Sequence, residues 1–473
     1  MSPSFATIVY VGGIIGLFYL DRNRSVRTAH FLWLPVIWIW IIGSRPVSQW
    51  LGLSGGSNNF ATQLVEGSPY DAAIFGILLA AGIVVLIRRR TRTYACLIAS
   101  WPIVVYFAYC LLSVLWSDFP DIAFKRWIKA IGDLVMALVV VTDTDPVAAV
   151  GRLISRVGFI LMPASVLFIK YFGDLGRGYD PDGRPMNTGV TTNKNILGVI
   201  TLVVALGTLW SFLDLLFAKH QPNRARHLLA RGTLLAFCIA VLAMADSATS
   251  VACFSLGTVL ILATHFPMIR RRPGAMHGLV AMILLAGGLA MLLGGQTSIV
   301  HALGRKSNLT GRTDIWACVL PVAPNPVVGA GFESFWLGPR LGRVWSNLAR
   351  LGYTMRINEA HNGYIEVYLN LGLVGVSLIA ISLINGYRGS IAAFRSDPPF
   401  GGLMLAYIIA AAIYSVSEAG FRMLDPMWIF LLLAVVGAHT IAFGGVARRR
   451  RRLRSRERHV AEPSATNAFA SAL

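Results

Sequence analysis

Apolar runs of membrane-spanning length follow one another almost without pause along this 473-residue chain. A spanning helix needs about 20 mainly apolar residues. On that measure the pattern predicts helices near 5–20, 29–44, 71–88, 95–116, 127–142, 153–172, 195–217, 231–246, 249–269, 276–295, 363–385, 401–417 and 427–445, about thirteen in all. The second is short, and the fifth carries Lys129 and Asp133. One long stretch, 296–362, is polar instead. The chain therefore divides into a helical part (1–295), a large loop (296–362), a second helical part (363–446) and a tail (447–473).

Arginine and lysine set the orientation of such a chain, because cytoplasmic loops keep positive charge. With the N-terminus outside, the short inside loops take Arg22, Arg24, Arg27, Arg88–Arg90, Arg92 and Arg270–Arg272, and the tail adds Arg448–Arg452. The large loop then falls outside. If one short helix is misjudged, the N-terminus changes side and the loop does not. The first apolar run lacks a basic n-region and an A-x-A site, so it reads as a retained helix rather than a signal peptide. The arginine run reads as a topology anchor on anionic lipid, and the residues after Arg458 read as disordered.

Composition agrees with this pattern. The chain is 55% hydrophobic and 14% charged, with a mean hydropathy of +0.63; soluble chains carry about 25% charged residues. The net charge of +20 is scattered in short clusters between apolar runs, with no nucleic-acid motif beside them. Five cysteines form no C-x-x-C and no evident pair, which supports neither a disulfide framework nor a zinc site.

Three outer segments carry usable chemistry. Between the sixth and seventh helices stand Gly178-Tyr179-Asp180-Pro181-Asp182-Gly183-Arg184 and Thr188 through Asn195. Arg184, Lys194 and a helix start near Asn195 make a candidate phosphate site; a solvated turn with an asparagine cap is the plainer reading. Arg312, in Thr310-Gly311-Arg312-Thr313-Asp314-Ile315-Trp316, can reach a lipid headgroup or a substrate phosphate, or can simply anchor at the interface. His361, in Glu359-Ala360-His361-Asn362, titrates near neutrality and suits general-base work, or it serves the helix start. Asn362 is a candidate N-cap, with Glu366 and Asn370 following on one face.

Weaker signals accompany these. Asp143-Thr144-Asp145 and Asp180-Pro181-Asp182 have D-x-D spacing, the first on the cytoplasmic side. Gly329-Ala330-Gly331 lacks the strand and helix of a nucleotide loop, and no Walker A motif is present. Glu418, Arg422 and Asp425 sit in the last outer turn, where they can support the site.

Taken in order, these segments resemble the O-antigen ligase / Wzy-type polymerase superfamily. The stretches that carry the likeness are Asn187-Thr188-Gly189 to Lys194-Asn195-Ile196-Leu197-Gly198, Gly311 to Trp316, Pro324-Asn325-Pro326-Val327-Val328-Gly329-Ala330-Gly331-Phe332, and Ala360-His361-Asn362-Gly363-Tyr364 to Leu371-Gly372-Leu373. Ser113-Val114-Leu115-Trp116-Ser117-Asp118-Phe119-Pro120 looks like the exopolysaccharide-production, ExoQ-like branch. The likeness spans roughly 100–440.

This resemblance implies an all-α polytopic membrane protein of GT-C-like glycosyltransferase architecture, working at the periplasmic face of the bacterial inner membrane. It implies an undecaprenyl-diphosphate-linked oligosaccharide as donor, no cofactor, no metal, no nucleic acid, and a flippase and chain-length regulator as partners. Arg312 and His361 take the family's essential positions, and Arg184 matches less closely, with Lys194 able to share its role. In the expected inverting reaction Arg312, Arg184 and Lys194 hold the diphosphate, while His361 takes the proton of the acceptor hydroxyl. Glu359 or Glu333 orients His361 or replaces it as base, with Asn362, Glu418 and Arg422 in support. Polymerisation of lipid-linked repeats is the first expectation and ligation to lipid A–core the second. A lipid flippase or transporter is the reading from another class; such proteins gather ionisable groups near the bilayer midplane, whereas here they gather in outer loops.

Overall fold

The computed structural model describes residues 2–22, 28–53, 67–179, 183–218, 223–294, 309–353 and 356–442, with the side chains of 287–294 and 309–311 excepted. The arginine-rich tail, the Asp180-Pro181-Asp182 turn and the first part of the large loop lie outside the described residues.

Most helices begin where a short polar side chain precedes the apolar run. Ser2, Ser68, Asp145, Asn193, Asn362 and Asp397 each accept a backbone N–H of the first turn, which satisfies groups a helix start leaves unpaired. The helices are α1 (Pro3–Leu20), α2 (His30–Ile42), α3 (Pro69–Arg88), α4 (Arg90–Ala99), α5 (Trp101–Trp116), α6 (Pro120–Val141), α7 (Pro146–Tyr171), α8 (Lys194–Phe217), α9 (Arg224–Ala245), α10 (Ala248–Ala263), α11 (Pro273–Gly294), α12 (Leu309–Val319), α13 (Gly338–Arg350), α14 (Gly363–Ser396), α15 (Pro398–Ser417) and α16 (Pro426–Ala442). A short antiparallel hairpin, β1 (Arg177–Tyr179) and β2 (Pro185–Asn187), joins α7 to α8.

Every expected span has a helix in its place, and their lengths differ from the expectation. Among the described residues seven helices are long and apolar enough to cross a membrane: α1, α3, α7, α8, α9, α14 and α15. The segment expected over 95–116 is broken: α4 and α5 meet at 88° and make an eighth only if counted as one span. Four more helices, α2, α10, α11 and α16, are apolar and shorter. The remaining expected span, α6, carries Lys125, Arg126, Lys129 and Asp133, too many charges to pass on composition. The protein is thus an all-α multi-pass membrane protein.

Burial sorts the helices. The apolar stretches of α8 and α15 are 89% and 83% buried, whereas that of α1 is 11% buried. α8 packs on α7, α9 and α10, and α15 packs on α10 and α14. The exposed apolar faces of α1 and α3 are what lipid solvates.

The large loop has a core of its own. Ile315, Val319, Phe335, Trp336, Val344 and Leu348 are buried together with Leu369 of α14. The amphipathic helix α13 buries Leu341, Val344 and Leu348 and exposes Arg343 and Arg350. This small unit is tied to α14 at a break. Gly372 has φ +63° and ψ −164°, a conformation in practice restricted to glycine. The freed backbone groups pair with the loop: Ala330 N donates to Leu369 O (3.0 Å), Gly331 N to Asn370 O (2.8 Å), and Leu373 N to Pro326 O (2.9 Å). A Cβ on Gly372 would collide with the Val327 carbonyl, and one on Gly329 with the Asn370–Leu371 peptide. The Gly329-Ala330-Gly331 motif is therefore a clamp on a broken helix.

α5 holds the other side of this clamp. Trp116 Nε1 donates to Val328 O, Phe332 N to Ser113 Oγ (3.0 Å), and Ser117 Oγ bonds Ser334 Oγ (2.7 Å). Asp118 pairs with Arg340. Two sequence motifs far apart in the chain are thus one structural joint.

Candidate active site

The site is built where α14 and α15 are stitched together at their outer ends. Asn362 caps α14 with its Oδ1, which accepts from Tyr364 N and Ile365 N, while its Nδ2 donates to Val416 O (2.9 Å). Gly363 N donates to Glu418 O (2.9 Å). A Cβ on Gly363 would stand 2.9 Å from Ser415 Cβ, so only a glycine permits this approach. The stitching presents His361 and Glu418 to the same space.

His361 Nδ1 lies 3.0 Å from Glu359 Oε1 and 3.5 Å from Glu418 Oε2. That nitrogen is buried and has no aligned hydrogen bond, although the side chain is one-quarter exposed. Arg312, from α12, donates through Nη2 to Glu418 Oε1 at 2.6 Å. Asn195, in the first turn of α8, donates through Nδ2 to Glu418 Oε2 at 3.2 Å. Glu418 is therefore the hub, joining residues 195, 312, 361 and 418.

A second arginine extends the network. Arg422 Nη1 is 3.4 Å from Glu359 Oε2, and Nη2 is 3.6 Å from Glu333 Oε2. Arg126 of α6 donates to the Glu333 carbonyl. An open pocket of about 170 Å³ lies against these groups, lined by Asn193, Asn195, Glu359, Glu418, Arg422 and Asp425 among others.

The backbone is strained around it. Of five described non-glycine residues with positive φ, three surround the site: Glu333 (49°), His361 (48°) and Leu424 (57°). Such conformations cost about 1–3 kcal/mol each and persist where the surroundings impose them. Leu424 is held by Asp133 of α6, whose Oδ2 accepts Leu424 N (2.9 Å) while Oδ1 accepts Trp38 Nε1 (2.8 Å).

Electrostatics tune the titrating groups. Burial pulls the His361 imidazole down, but the Glu418 carboxylate close to Nδ1 and the charge of Glu359 outweigh that, and the net shift is upward; Arg312 opposes it. Burial pushes the Asp425 carboxyl up to about 7. Burial also works against the Arg422 charge, yet Glu333, Glu366, Glu359 and Asp425 overcome it and hold the guanidinium charged.

The residues expected from sequence divide into two groups. Arg312, Glu333, Glu359, His361, Asn362, Glu418 and Arg422 come together here. Arg184 sits on the exposed hairpin, and Lys194 is half-buried at the first turn of α8; neither lines the pocket. The Thr188–Asn195 segment does reach the site, through Asn193 and Asn195. Arg45 secures that segment by donating to Thr191 O (3.1 Å) and to the Leu175 carbonyl. Asn195, Arg126 and Asp133 were not singled out as site residues by sequence reasoning. The signal for Asp133 was present: a charged residue inside an expected span marks function or pairing.

The D-x-D at Asp143 is structural. Asp143 pairs with Arg89 (3.4 Å) and accepts Ala29 N, and Asp145 caps α7. No described cluster of three His, Cys, Asp or Glu is arranged to hold a metal. Glu366 and Asn370 brace the loop instead of entering the pocket. Glu366 accepts Trp336 Nε1 (2.9 Å) and Ala360 N, and Asn370 Oδ1 accepts Phe335 N (3.0 Å).

Residues 233–380 match the O-antigen ligase family, Wzy_C. That span holds Arg312, Glu333, Glu359 and His361, while Glu418 and Arg422 join them from beyond it. Over 347 residues the chain is 26% identical to the exopolysaccharide production protein ExoQ of Rhizobium meliloti (strain 1021), covering 70% of this chain and 75% of that one. With its helical membrane fold, the chain is similar to O-antigen ligase proteins over this span and to an exopolysaccharide production protein over most of its length.

Proposed function

We propose that this protein is a glycosyltransferase of the inner membrane whose pocket faces the periplasm. It moves a glycan from an undecaprenyl-diphosphate donor to a sugar hydroxyl, polymerising lipid-linked repeats. The observation that carries this reading is the meeting of Arg312, His361, Glu359, Glu418 and Arg422, drawn from three separate segments, beside one open pocket that Glu359, Glu418 and Arg422 line.

The donor is already activated, since a lipid diphosphate leaves readily. Arg312 exchanges part of its pairing with Glu418 for the diphosphate, and Arg422 adds positive charge behind it. Lys194, between two pocket-lining asparagines, stands at the helix end that favours an anion; Arg184 lies further out. Charge growing on the leaving diphosphate is met by preorganised guanidinium groups, and such electrostatic stabilisation often contributes more to catalysis than any other effect. The acceptor oxygen bonds to the anomeric carbon as the bond to the diphosphate oxygen breaks, which inverts that centre. His361 Nε2 takes the hydroxyl proton while Glu359 and Glu418 stabilise the imidazolium at Nδ1.

Ligation to lipid A–core is the second reading, favoured by the family's description as O-antigen ligase. The similarity to an exopolysaccharide production protein favours polymerisation. The test is complementation of a deletion strain with wild type, His361→Ala and Arg312→Ala at equal membrane levels. Loss of polymer in both variants, with lipid-linked single repeats accumulating on the periplasmic side, is expected. Wild-type polymer from either variant overturns the site, cytoplasmic accumulation points to a flippase, and unpolymerised lipid A–core products point to a ligase.

A further inference from the structure

Across α6 from the candidate site lies a second open cavity, about 510 Å³, between α3 and α6. Its walls are Ala72, Phe75, Leu79 and Ile128, and Lys125 and Lys129 project into it. The lysines are one turn apart, so they share a face, while Arg126 turns to the other side and donates to the Glu333 carbonyl. Trp38 lines the cavity, and its Nε1 bonds Asp133, whose other oxygen holds Leu424 in the site's last turn. Trp38 and Asp133 thus link this cavity to the site's last turn.

Neither lysine makes a hydrogen bond or ion pair with a described residue, and Asp71, at that end of α3, gives both its oxygens to Ser48 (2.9 and 2.6 Å). Lys129 is nine residues into α6, about 13 Å along the axis at 1.5 Å per residue. Asp71 acts on Lys129 without bonding it, and an ammonium within a membrane helix is costly unless an anion meets it. An apolar trough ending in two lysines fits one long hydrocarbon chain that carries a phosphate group.

We propose that this groove seats the second polyprenyl-diphosphate-linked chain of the polymerisation, its diphosphate on Lys125 and Lys129 and its isoprenoid tail along α3. This rests on the reading of the protein as a polymerase, which needs two lipid-linked substrates side by side. Through Arg126 and through the Trp38–Asp133–Leu424 link, α6 connects this groove to the candidate site.

The test is native mass spectrometry of the full-length protein in detergent, titrated with undecaprenyl diphosphate. Wild type is expected to bind two copies. Lys125→Ala/Lys129→Ala is expected to weaken one of them by roughly 30-fold, and Lys125→Arg/Lys129→Arg to restore it. Gly76→Trp is an independent block, because a side chain added there meets open space and the fold should tolerate it; it too should remove one copy. Unchanged two-copy binding in both the alanine pair and Gly76→Trp overturns the proposal. So does displacement of that copy by phosphatidylglycerol at equal concentration, which marks an ordinary bilayer-lipid seat. Arg312→Ala separates the two readings: loss of the other copy supports the diphosphate site, whereas retention of both copies in Arg312→Ala, with one lost in the lysine variant, leaves the groove standing and removes the donor site.

Discussion

Two parts of the large loop carry equally dense motifs, and they spend their polar groups in opposite ways. From Pro324 to Trp336, backbone and side chains turn inward onto the break in α14 and onto α5. At Arg312 and from Glu359 to His361, the polar groups gather beside an open pocket and compete for one another. Motif density alone does not separate these roles. What separates them is whether each polar group already has a well-aligned partner.

The sharpest test sets activity against folding. His361→Ala should lower polymer formation by about 10²–10⁴-fold, and Arg312→Ala by about 10²–10³-fold, with membrane levels and thermal midpoints close to wild type. Gly372→Ala should do the reverse. It forces a Cβ into a glycine-only conformation and onto the Val327 carbonyl, at a cost of about 3 kcal/mol or more. Reduced folded protein is expected, with near-normal turnover per folded molecule. If Gly372→Ala left stability intact, the clamp would not be what holds the loop.

Much of this comparison was legible in the chain. Apolar runs located the expected spans but not α12 and α13 inside the large loop, and asparagines stood at the starts of α8 and α14. Charge distribution singled out the loop, and Arg312, His361, Glu359 and Glu418 were visible as ionisable groups in outer segments. The bend at Ser100, the break at Gly372 and the hub role of Glu418 were not. Each depends on packing between elements distant in sequence: the break is satisfied by residues 326–331, and the hub gathers residues 195, 312 and 361. Nor does a local pattern distinguish Asn195, which reaches Glu418, from Lys194 beside it, because the difference is the direction in which each leaves the first turn of α8.

The next largest effect concerns pH. The carboxylates hold the His361 imidazole above its ordinary range, so the basic form appears only as pH rises through that raised value. Activity should climb along this limb. Glu418→Gln removes the carboxylate charge beside Nδ1, so the residual activity should show its acid limb at lower pH. Stability runs the other way. A histidine raised in the fold contributes stability that is complete below its unfolded value near 6.5 and is lost as pH rises through the folded one. Asp425, raised to about 7 by burial, acts with the same sign, its contribution fading as pH climbs from about 4 to 7. Thermal midpoints between pH 5 and 8 should therefore fall as the rate rises, and less so in Glu418→Gln. An acid limb unmoved by Glu418→Gln would mean that another group is the base.

On the inward-turned side, Trp336→Phe deletes a donor to the buried Glu366 while nearly keeping the ring volume. The expected loss is about 1–3 kcal/mol of stability, read from thermal unfolding in detergent. Turnover per folded molecule should stay within about threefold, because Glu366 braces the loop without reaching the pocket. A large fall in turnover with little change in stability would place Glu366 in the chemistry and blur the line between the two regions.

The smallest effect tests the edge of the site. Arg184 lies on the exposed hairpin, while Asn195 touches Glu418 at 3.2 Å. If contact with the hub sets a residue's weight, Asn195→Ala should cost more polymer than Arg184→Ala, which should change it less than about twofold, as exposed charges do when they act only through screened solvent. The salt dependence adds a second reading. A long-range role for Arg184 in drawing the anionic donor would appear as a defect at low ionic strength that fades as salt is added, whereas the Asn195→Ala defect should persist at all salt concentrations because it removes a fixed hydrogen bond. A severe, salt-independent defect in Arg184→Ala would move the diphosphate outward from Arg312 toward the hairpin, and the pocket at Glu418 would then hold the acceptor.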